Sequence, residues 1–375
     1  MRLQAFDWVP TCRRAVTCVL TTPAMDDTSS FNIPDPTHDA AISRQPKAEM
    51  SASRVKLVDV ARRAGVSPAT VSRVLNGNAP VSKATLERVQ TAASELDYRR
   101  NTLASSLRRR ASRLIGVVVP DVANPFYTEV VRGIEDQLRG AGYLLVLCNS
   151  DGNIEKQTEY LRLLSDQQLD GVILAPATPD LDKLEDAVAS GLTVVLIDRR
   201  VASTMYDTVT VANRDDARIL TAGLLAASRR IAHIGGPHRT STAQDRFAGF
   251  LDAHASAGVD PDPGLIFETD YSEQGGYEAM KSLLELEQPP AGVFVGNNVM
   301  TLGVLRALSE TETAAAPKIV SFDPLPWWAS SVHPVTTGSQ PSYELGRTAA
   351  ELLLLRLADP GREYAEVTIG QESGR

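Results

Sequence analysis

The sequence predicts a small all-α head followed by an α/β body of two doubly wound parallel-sheet lobes. Three observations carry that expectation. The 375 residues allow two or three folding units at ~100–200 residues per domain. Near residue 115 the hydrophobic pattern changes from short helical periods to apolar strands alternating with amphipathic helices. The charge changes with it. Residues 51–113 hold 13 Lys and Arg against 4 Asp and Glu, a net of +9 on a chain whose total is −8, which leaves −17 elsewhere. A basic segment on an acidic body is the asymmetry of a nucleic-acid-binding module carried by a larger domain, and on charge alone a merely solvated surface is the other reading.

Composition narrows the class. The chain is 43% hydrophobic and 22% charged, as ordinary globular proteins are, with a pI near 5.3. No apolar run approaches the ~20 residues of a membrane span, so no membrane partner is expected. Arg13 and Arg14 are followed only by AVTCVL before Thr21, short for an export signal core. Cys12, Cys18 and Cys148 form no CxxC pair and no Cys/His cluster, so reduced cytoplasmic thiols are expected and neither a metal nor a cofactor is called for. Residues 1–54 read as an N-terminal extension. Pro10, Pro23, Pro34, Pro36 and Pro46 punctuate it and no period is sustained, the pattern of disorder. Met50 leaves a second reading open, in which translation starts there.

The head, residues 55–100, shows three helical patterns. LVDVARRA places Leu57, Val60, Ala61 and Ala64 on one face, and Gly65 breaks it. Ser67-Pro68 restarts a helix, Ser as N-cap and Pro at the first helical position, and PATVSRVLN runs to Asn76-Gly77. Ser82 caps the third pattern, KATLERVQTAASELDY, with Leu86, Val89 and Leu96 inward. Helix, short Gly-containing turn, second helix with exposed polar groups is the helix-turn-helix design, whose second helix enters the major groove. Pro68, Ala69 and Arg73 are then the groove-facing candidates. Ser67, Thr70, Ser72 and Asn76 are short hydrogen-bonders suited to phosphate oxygens, and Arg73 suits a bidentate guanine contact. On pattern alone a plain three-helix bundle fits equally well.

The body, residues 113–375, carries strands IGVVVP (115–120), YLLVLCN (143–149), GVILAP (171–176), TVVLID (193–198), RIAHIGG (230–236), GVFVG (292–296) and KIVSFD (318–323), with helices such as 126–140 and 155–168 between them. Near-continuous Val/Ile/Leu strands argue for parallel sheets covered on both faces, and there are too many for one small sheet. Ligands of such sheets sit beyond the strands' carboxyl ends. The candidates are Asn124, Pro125 and Phe126 after the first strand, Asp198 and Arg199 after TVVLI, Arg246 opening the helix RFAGF, Asn298 after GVFVG, and Asp323 ending KIVSF. Phe126 offers an aromatic face, and arginine with carboxylate suits vicinal hydroxyls.

The stretch LVDVARRAGVSPATVSRVLNGN, VSKATLERVQTAASELDY, NTLASSLR closely resembles the head of the lactose-repressor (LacI/GalR) family. The resemblance continues in IGVVVPDVANPFYTEVVRGIEDQLRGAGY, DGVILAP, VVLIDRR, IAHIGG, RFAGF and TTGSQPSYELGRTAAELLL, over about residues 55–360. It implies a transcriptional regulator, not an enzyme, with lobes of periplasmic-binding-protein type. Its implied partners are a double-stranded DNA operator, a second copy of the chain in a homodimer, and a small effector, a sugar or related metabolite. By position it makes Ser67, Thr70 and Asn76 phosphate contacts, and Pro68, Ala69 and Arg73 base readers. Tyr98 and Asn101 fall at the entrance of a hinge, residues 101–112, and Leu107 matches a leucine wedged between base pairs, with a core leucine as the alternative. Leu57, Ser72, Thr85 and Ala104 complete the implied DNA-binding set, and Phe126, Arg199, Arg246, Asn298 and Asp323 the ligand set.

Four departures stand out. Arg100 replaces the usual Pro before the hinge asparagine, so the third helix is expected to extend differently there. Asn298 stands for the usual Asp, and Ser321 for Gly beside the pair Trp327-Trp328, which reads as core packing or a reshaped pocket. The final strand motif is shortened to VTIGQESGR. Enzyme motifs are missing: the five histidines form no HExxH, and IGGP (234–237) lacks GxGxxG and a phosphate-loop lysine, so His233 reads as structural. The rival reading, a sugar-binding protein without a DNA-reading head, shares the two-lobed body and is disfavoured by the head, the hinge and the weak export signal.

Overall fold

Gly65 takes φ 65°, and there the first helix, α1 (Leu57–Ala64), ends, the amide of Val66 turning back to Ala61 O at 3.1 Å. Two residues later Ser67 Oγ accepts from Thr70 N at 3.1 Å and starts α2 (Pro68–Asn76). Ser82 does the same for α3 (Lys83–Glu95) through Thr85 N at 3.3 Å. Val60, Val71 and Val89, one from each helix, are fully buried and form the centre of the head with Ala61, Ala64, Val74 and Ala92. The computed structural model describes residues 55–76, 81–98, 112–179, 182–189, 191–311, 316–326, 329 and 333–370. The extension 1–54, the hinge candidates Arg100, Asn101, Ala104 and Leu107, and Trp327-Trp328 lie outside these. The chain divides into two units at residues 99 and 100, a head and a body.

The third helix is shorter than its pattern predicts. It stops at Glu95, Asp97 takes φ 44°, and Tyr98 N bonds Ala93 O at 2.9 Å. This local turn ends α3 at Glu95, and the expected effect of Arg100 on the hinge lies outside the described residues.

In the body, lobe 1 is built on β1 (Leu114–Val119), β2 (Leu144–Asn149), β3 (Gly171–Leu174), β4 (Thr193–Ile197), β5 (Asp207–Val211) and β11 (Glu366–Ile369). They form one parallel sheet in the order β11-β5-β4-β3-β1-β2. Around it lie α4 (Pro125–Gly140), α5 (Ile154–Asp166), α6 (Asp182–Ala189) and α11 (Ser342–Ala358). Lobe 2 is built on β6 (Ile231–Gly235), β7 (Ile266–Glu268), β8 (Gly292–Val295), β9 (Lys318–Ser321) and β10 (Val335–Thr337), a parallel sheet in the order β10-β9-β8-β6-β7. Its helices are α7 (Asn213–Leu225), α8 (Ser241–Ala257), α9 (Glu273–Leu284) and α10 (Asn298–Ser309). The strand order reverses between β1 and β3 and between β6 and β8, which opens a crevice at the carboxyl ends of each sheet. The chain crosses between lobes after β5 and after β10. No helix among the described residues is long and apolar enough to cross a membrane.

Close helix contact fixes lobe 1. A Cβ on Gly133 of α4 would lie 2.1 Å from Tyr343 O, and one on Gly346 of α11 would lie 2.0 Å from Val130 O. Only hydrogen fits at both positions, so α11 returns against α4 backbone to backbone.

Among the elements that escape the sequence pattern are β5, the three-residue strands β7 and β10, and the true start of the helix that carries Arg246. DTVTV begins with a carboxylate and alternates threonines, yet it is buried throughout because Asp207, fully buried, has its charge met. Arg356 of α11 grips it through Nε at 2.9 Å and Nη2 at 3.2 Å, and Ala365 N adds a bond at 2.9 Å. That clamp brings the chain end in as β11, parallel to β5. RFAGF, read as a helix opening, is interior to α8, which starts earlier at Ser241 behind the cap Thr240.

Breaking the clamp from one side strands a buried charge. Arg356→Leu is expected to lower unfolding free energy by about 3–5 kcal/mol, and the double change with Asp207→Val to recover much of the loss. Urea unfolding of both variants checks this, and equal losses in the two would contradict it.

His233, in β6, is buried among Phe247, Phe250 and Phe294, with ring centroids 5.0, 5.0 and 5.5 Å away, and neither ring nitrogen has a partner. Burial, helped by His238 and His254, pushes its pKa from 6.5 down to about 3. The folded protein therefore holds this ring neutral while the unfolded chain protonates it below 6.5. Its contribution is fully present above that pH and is lost as pH falls toward 3, at up to about 1.4 kcal/mol per unit. In His233→Leu the acid slope of stability between pH 6.5 and 4 should flatten by about that amount in pH-dependent denaturation. An unchanged slope would contradict the assignment.

Candidate DNA-reading face and ligand cleft

On the head, α2 divides cleanly. Val71 and Val74 point into the core, while Ser67, Pro68, Ala69 and Arg73 are exposed and Thr70 and Ser72 half-buried. The Ser67 and Thr70 hydroxyls lie 2.9 Å apart, so the capping pair also presents oxygen at the helix start. Arg73 touches Ala69 O through Nε at 3.4 Å, and among the described residues no carboxylate pairs with it. Thus Pro68, Ala69 and Arg73, the residues expected to face a groove, are all exposed, with Ser67 exposed and Thr70 and Ser72 half-buried beside them. Asn76 ends α2. Leu57, Thr85 and Tyr98 stand elsewhere: Leu57 and Tyr98 pack on the head core, and the Thr85 hydroxyl is held by Ser82 Oγ at 2.9 Å.

In the body, the cleft between the lobes leaves about 80 Å³, lined from lobe 1 by Asp121, Phe126, Tyr127, Asp198 and Arg199 and from lobe 2 by Thr242, Arg246, Tyr271 and Asp323, among others. Four of the five ligand candidates, Phe126, Arg199, Arg246 and Asp323, therefore meet at one place. A larger groove of about 690 Å³ on lobe 1, lined by Arg200, Tyr206, Tyr364 and Glu366 among others, includes the amino-terminal ends of β5 and β11. It lacks the buried charges of the cleft.

Burial makes each charge in the cleft depend on a partner. Arg246, 6% exposed, gives Nε to Asn213 Oδ1 at 2.8 Å and Nη1 to Gly296 O, and its guanidinium lies 3.8 Å over Phe322. Asp323 accepts from Asn298 N at 3.2 Å and from Gln340 Nε2. Burial pushes its carboxyl pKa up, opposed by Arg246. Across the cleft Asp198 takes φ 64°, a backbone conformation that costs a non-glycine residue energy and turns its carboxylate inward. Tyr127 donates to it at 2.7 Å, and burial together with that carboxylate holds the phenol pKa well above its usual value, so it remains a donor. Arg199 lies 3.6 Å from Asp198 through Nε and bonds Pro176 O at 3.2 Å.

Asn298 takes another place. Its Nδ2 donates across the cleft to Asn124 Oδ1 at 3.0 Å and its Oδ1 accepts from Val299 N, so it bridges the lobes instead of lining the space. The amide explains the departure from Asp. A carboxylate has no proton to give Asn124 and would stand beside Asp323. Ser321 likewise acts behind the pocket, fully buried and bonded to Asp323 O at 2.8 Å and Thr301 Oγ1 at 3.0 Å. Two more polar contacts join the lobes: Arg200 pairs with Asp245 at 2.8 Å, and Arg200 N donates to Ser241 Oγ at 2.8 Å. Tyr127, Thr242, Tyr271, Asn213 and Gln340 were not legible in the pattern. Tyr271 follows the three-residue strand β7, too short to register, and Gln340 sits in the second crossover.

Residues 56–101 match the family of bacterial regulatory proteins, lacI family, and residues 112–371 match periplasmic binding proteins and sugar binding domain of LacI family. The chain is 31% identical over 309 residues to the HTH-type transcriptional repressor PurR of Photobacterium profundum, covering 81% of this chain and 92% of that one. It is 36% identical over 304 residues to the ribose operon repressor of Bacillus subtilis, with 79% and 90% covered. The lac repressor dimer bound to operator and the anti-inducer ONPF superposes with a TM-score of 0.73 at 27% identity, over 84% of this chain and 96% of that one. With its head and its body both matched, the chain belongs to the LacI family of DNA-binding transcriptional regulators.

Proposed function

We propose that the protein is a cytoplasmic, nucleoid-associated repressor that binds a pseudo-palindromic operator as a homodimer and loses or gains affinity when a small sugar-like metabolite enters the cleft. The observation that carries this reading is the convergence of Arg199 and Asp198 from lobe 1 with Arg246 and Asp323 from lobe 2 on one space. A ligand there touches both lobes, so its binding energy depends on their closure, which is the requirement for a two-state sensor. The exposed Pro68, Ala69 and Arg73 supply the DNA-reading end in this reading, with Ser67, Thr70 and Asn76 as its phosphate contacts. The similarity to a ribose operon repressor supports a sugar effector, and the similarity to a repressor dimer on its operator supports the dimer. The hinge residues Asn101, Ala104 and Leu107 complete this reading as its minor-groove contacts.

Footprinting and titration on DNA from the protein's own upstream region test the head. Arg73→Ala should weaken operator binding by about 1–3 kcal/mol while leaving nonspecific DNA affinity nearly unchanged. Equal loss on both DNAs would make Arg73 a phosphate contact and contradict base reading.

A further inference from the structure

The cleft has no surplus positive charge. Its lining holds the carboxylates Asp121, Asp198 and Asp323 against the guanidinium groups Arg199 and Arg246, and Asn298 beside it is neutral. Asp216, 6% exposed, adds a further carboxylate within electrostatic reach of Arg246.

A helix N-terminus is the other means of holding an anion, through its free amides. Three helices open on this space, and each gives at least one amide of its first turn to its own chain. Asn124 Oδ1 takes Phe126 N at 3.0 Å, and Thr240 Oγ1 takes Ala243 N at 3.4 Å. At the third, Asn297 Oδ1 takes Met300 N at 2.8 Å while Asp323 takes Asn298 N.

The lining offers groups of both kinds to a hydroxyl: the Arg199 guanidinium can donate, and the Asp198 and Asp323 carboxylates can accept. Hydroxyl groups donate and accept and so suit both, whereas a phosphate dianion only accepts. The volume of about 80 Å³ is far below the ~300–1,000 Å³ of sites for drug-sized ligands, which points to one small ring.

We propose that the cleft takes an uncharged, single-ring polyhydroxylated metabolite and rejects its phosphorylated and carboxylated counterparts. The inference rests on the reading of the cleft as the effector site. Asp323 and Asp198 accept from ligand hydroxyls, the Arg199 guanidinium donates to one, and Phe126 lies against the ring's C–H face. An added anionic group enters a buried site already balanced toward negative charge, where an unmatched charge is costly.

The test is calorimetric titration of the full-length protein with D-ribose, D-xylose, L-arabinose, D-glucose and D-galactose, each beside its terminal phosphate, and the two hexoses beside their uronic acids, which keep the ring. At least one neutral sugar should bind, with its charged derivatives at least about tenfold weaker. Arg199→Lys, which keeps the charge and moves the donor, should weaken that sugar by a similar factor. A charged derivative that binds as tightly as its parent, with the same sensitivity to Arg199→Lys, overturns the proposal and leaves the cleft as the effector site. Sugar binding indifferent to Arg199→Lys overturns the cleft reading itself. No binding by any compound overturns both.

Discussion

A guanidinium buried to 6% exposure has to be met on every side, and Arg246 is met by three separate segments of lobe 2. Asn213 fixes the first turn of α7, where the chain has just crossed from lobe 1. Gly296 O fixes the end of β8, and Phe322, under the guanidinium plane, fixes the end of β9. The net interaction of one such bond is only about 1–3 kcal/mol, but an unmatched buried cation would cost several times that. The positions of these three ends are therefore not independent. Holding them together sets Asp323 beside Arg246 and gives the cleft its lobe 2 wall.

Lobe 1 faces it with a comparable arrangement, tied in a different way. Asp198 is held in a left-handed turn at the end of β4, and Tyr127 and Arg199 surround its carboxylate. Strain at this position is sustained by the packed sheet beneath it and aims the carboxylate at the space between lobes. The lobes meet there through polar contacts, Asn298 to Asn124 and Arg200 to Asp245 and Ser241, not through a sealed apolar face. Polar contacts of this kind exchange for ligand and water at small net cost, which suits surfaces that open and close.

Much of this was legible in the sequence, and the part that was not has a physical cause. Gly65, Ser67-Pro68 and Ser82 announce helix ends because capping is local chemistry, and the structure uses each as read. The apolar runs around Val117, Ile173, Val195 and Val293 announce parallel strands because both faces of those sheets are covered. Arg199 and Asp323 could be nominated because ligands of such sheets sit where strands end, whereas Arg246 was nominated as a helix opening and reaches the cleft from inside α8. By contrast, β5 was hidden by Asp207, whose burial only Arg356, far along the chain, makes tolerable. Asn298 carried no sign that its amide would reach Asn124 in the other lobe. Tyr271 and Gln340 lie in loops whose positions depend on the completed fold. The short end of α3 was missed because Leu96 and Tyr98 continue its apolar period after Asp97 has already turned the backbone.

Under the proposed function, occupancy of the cleft and affinity for the operator are one coupled equilibrium. Coupling between sites is typically about 1–3 kcal/mol, some 5–150-fold, and thermodynamics requires it to be the same in both directions. The direct measurement is the affinity of the cleft-binding sugar for the free protein and for the protein saturated with operator DNA, set beside the operator affinity with and without that sugar. Coupling of this size requires a ratio of at least about fivefold in sugar affinity, equal to the ratio in operator affinity. Sugar affinity that is the same with and without operator would contradict it.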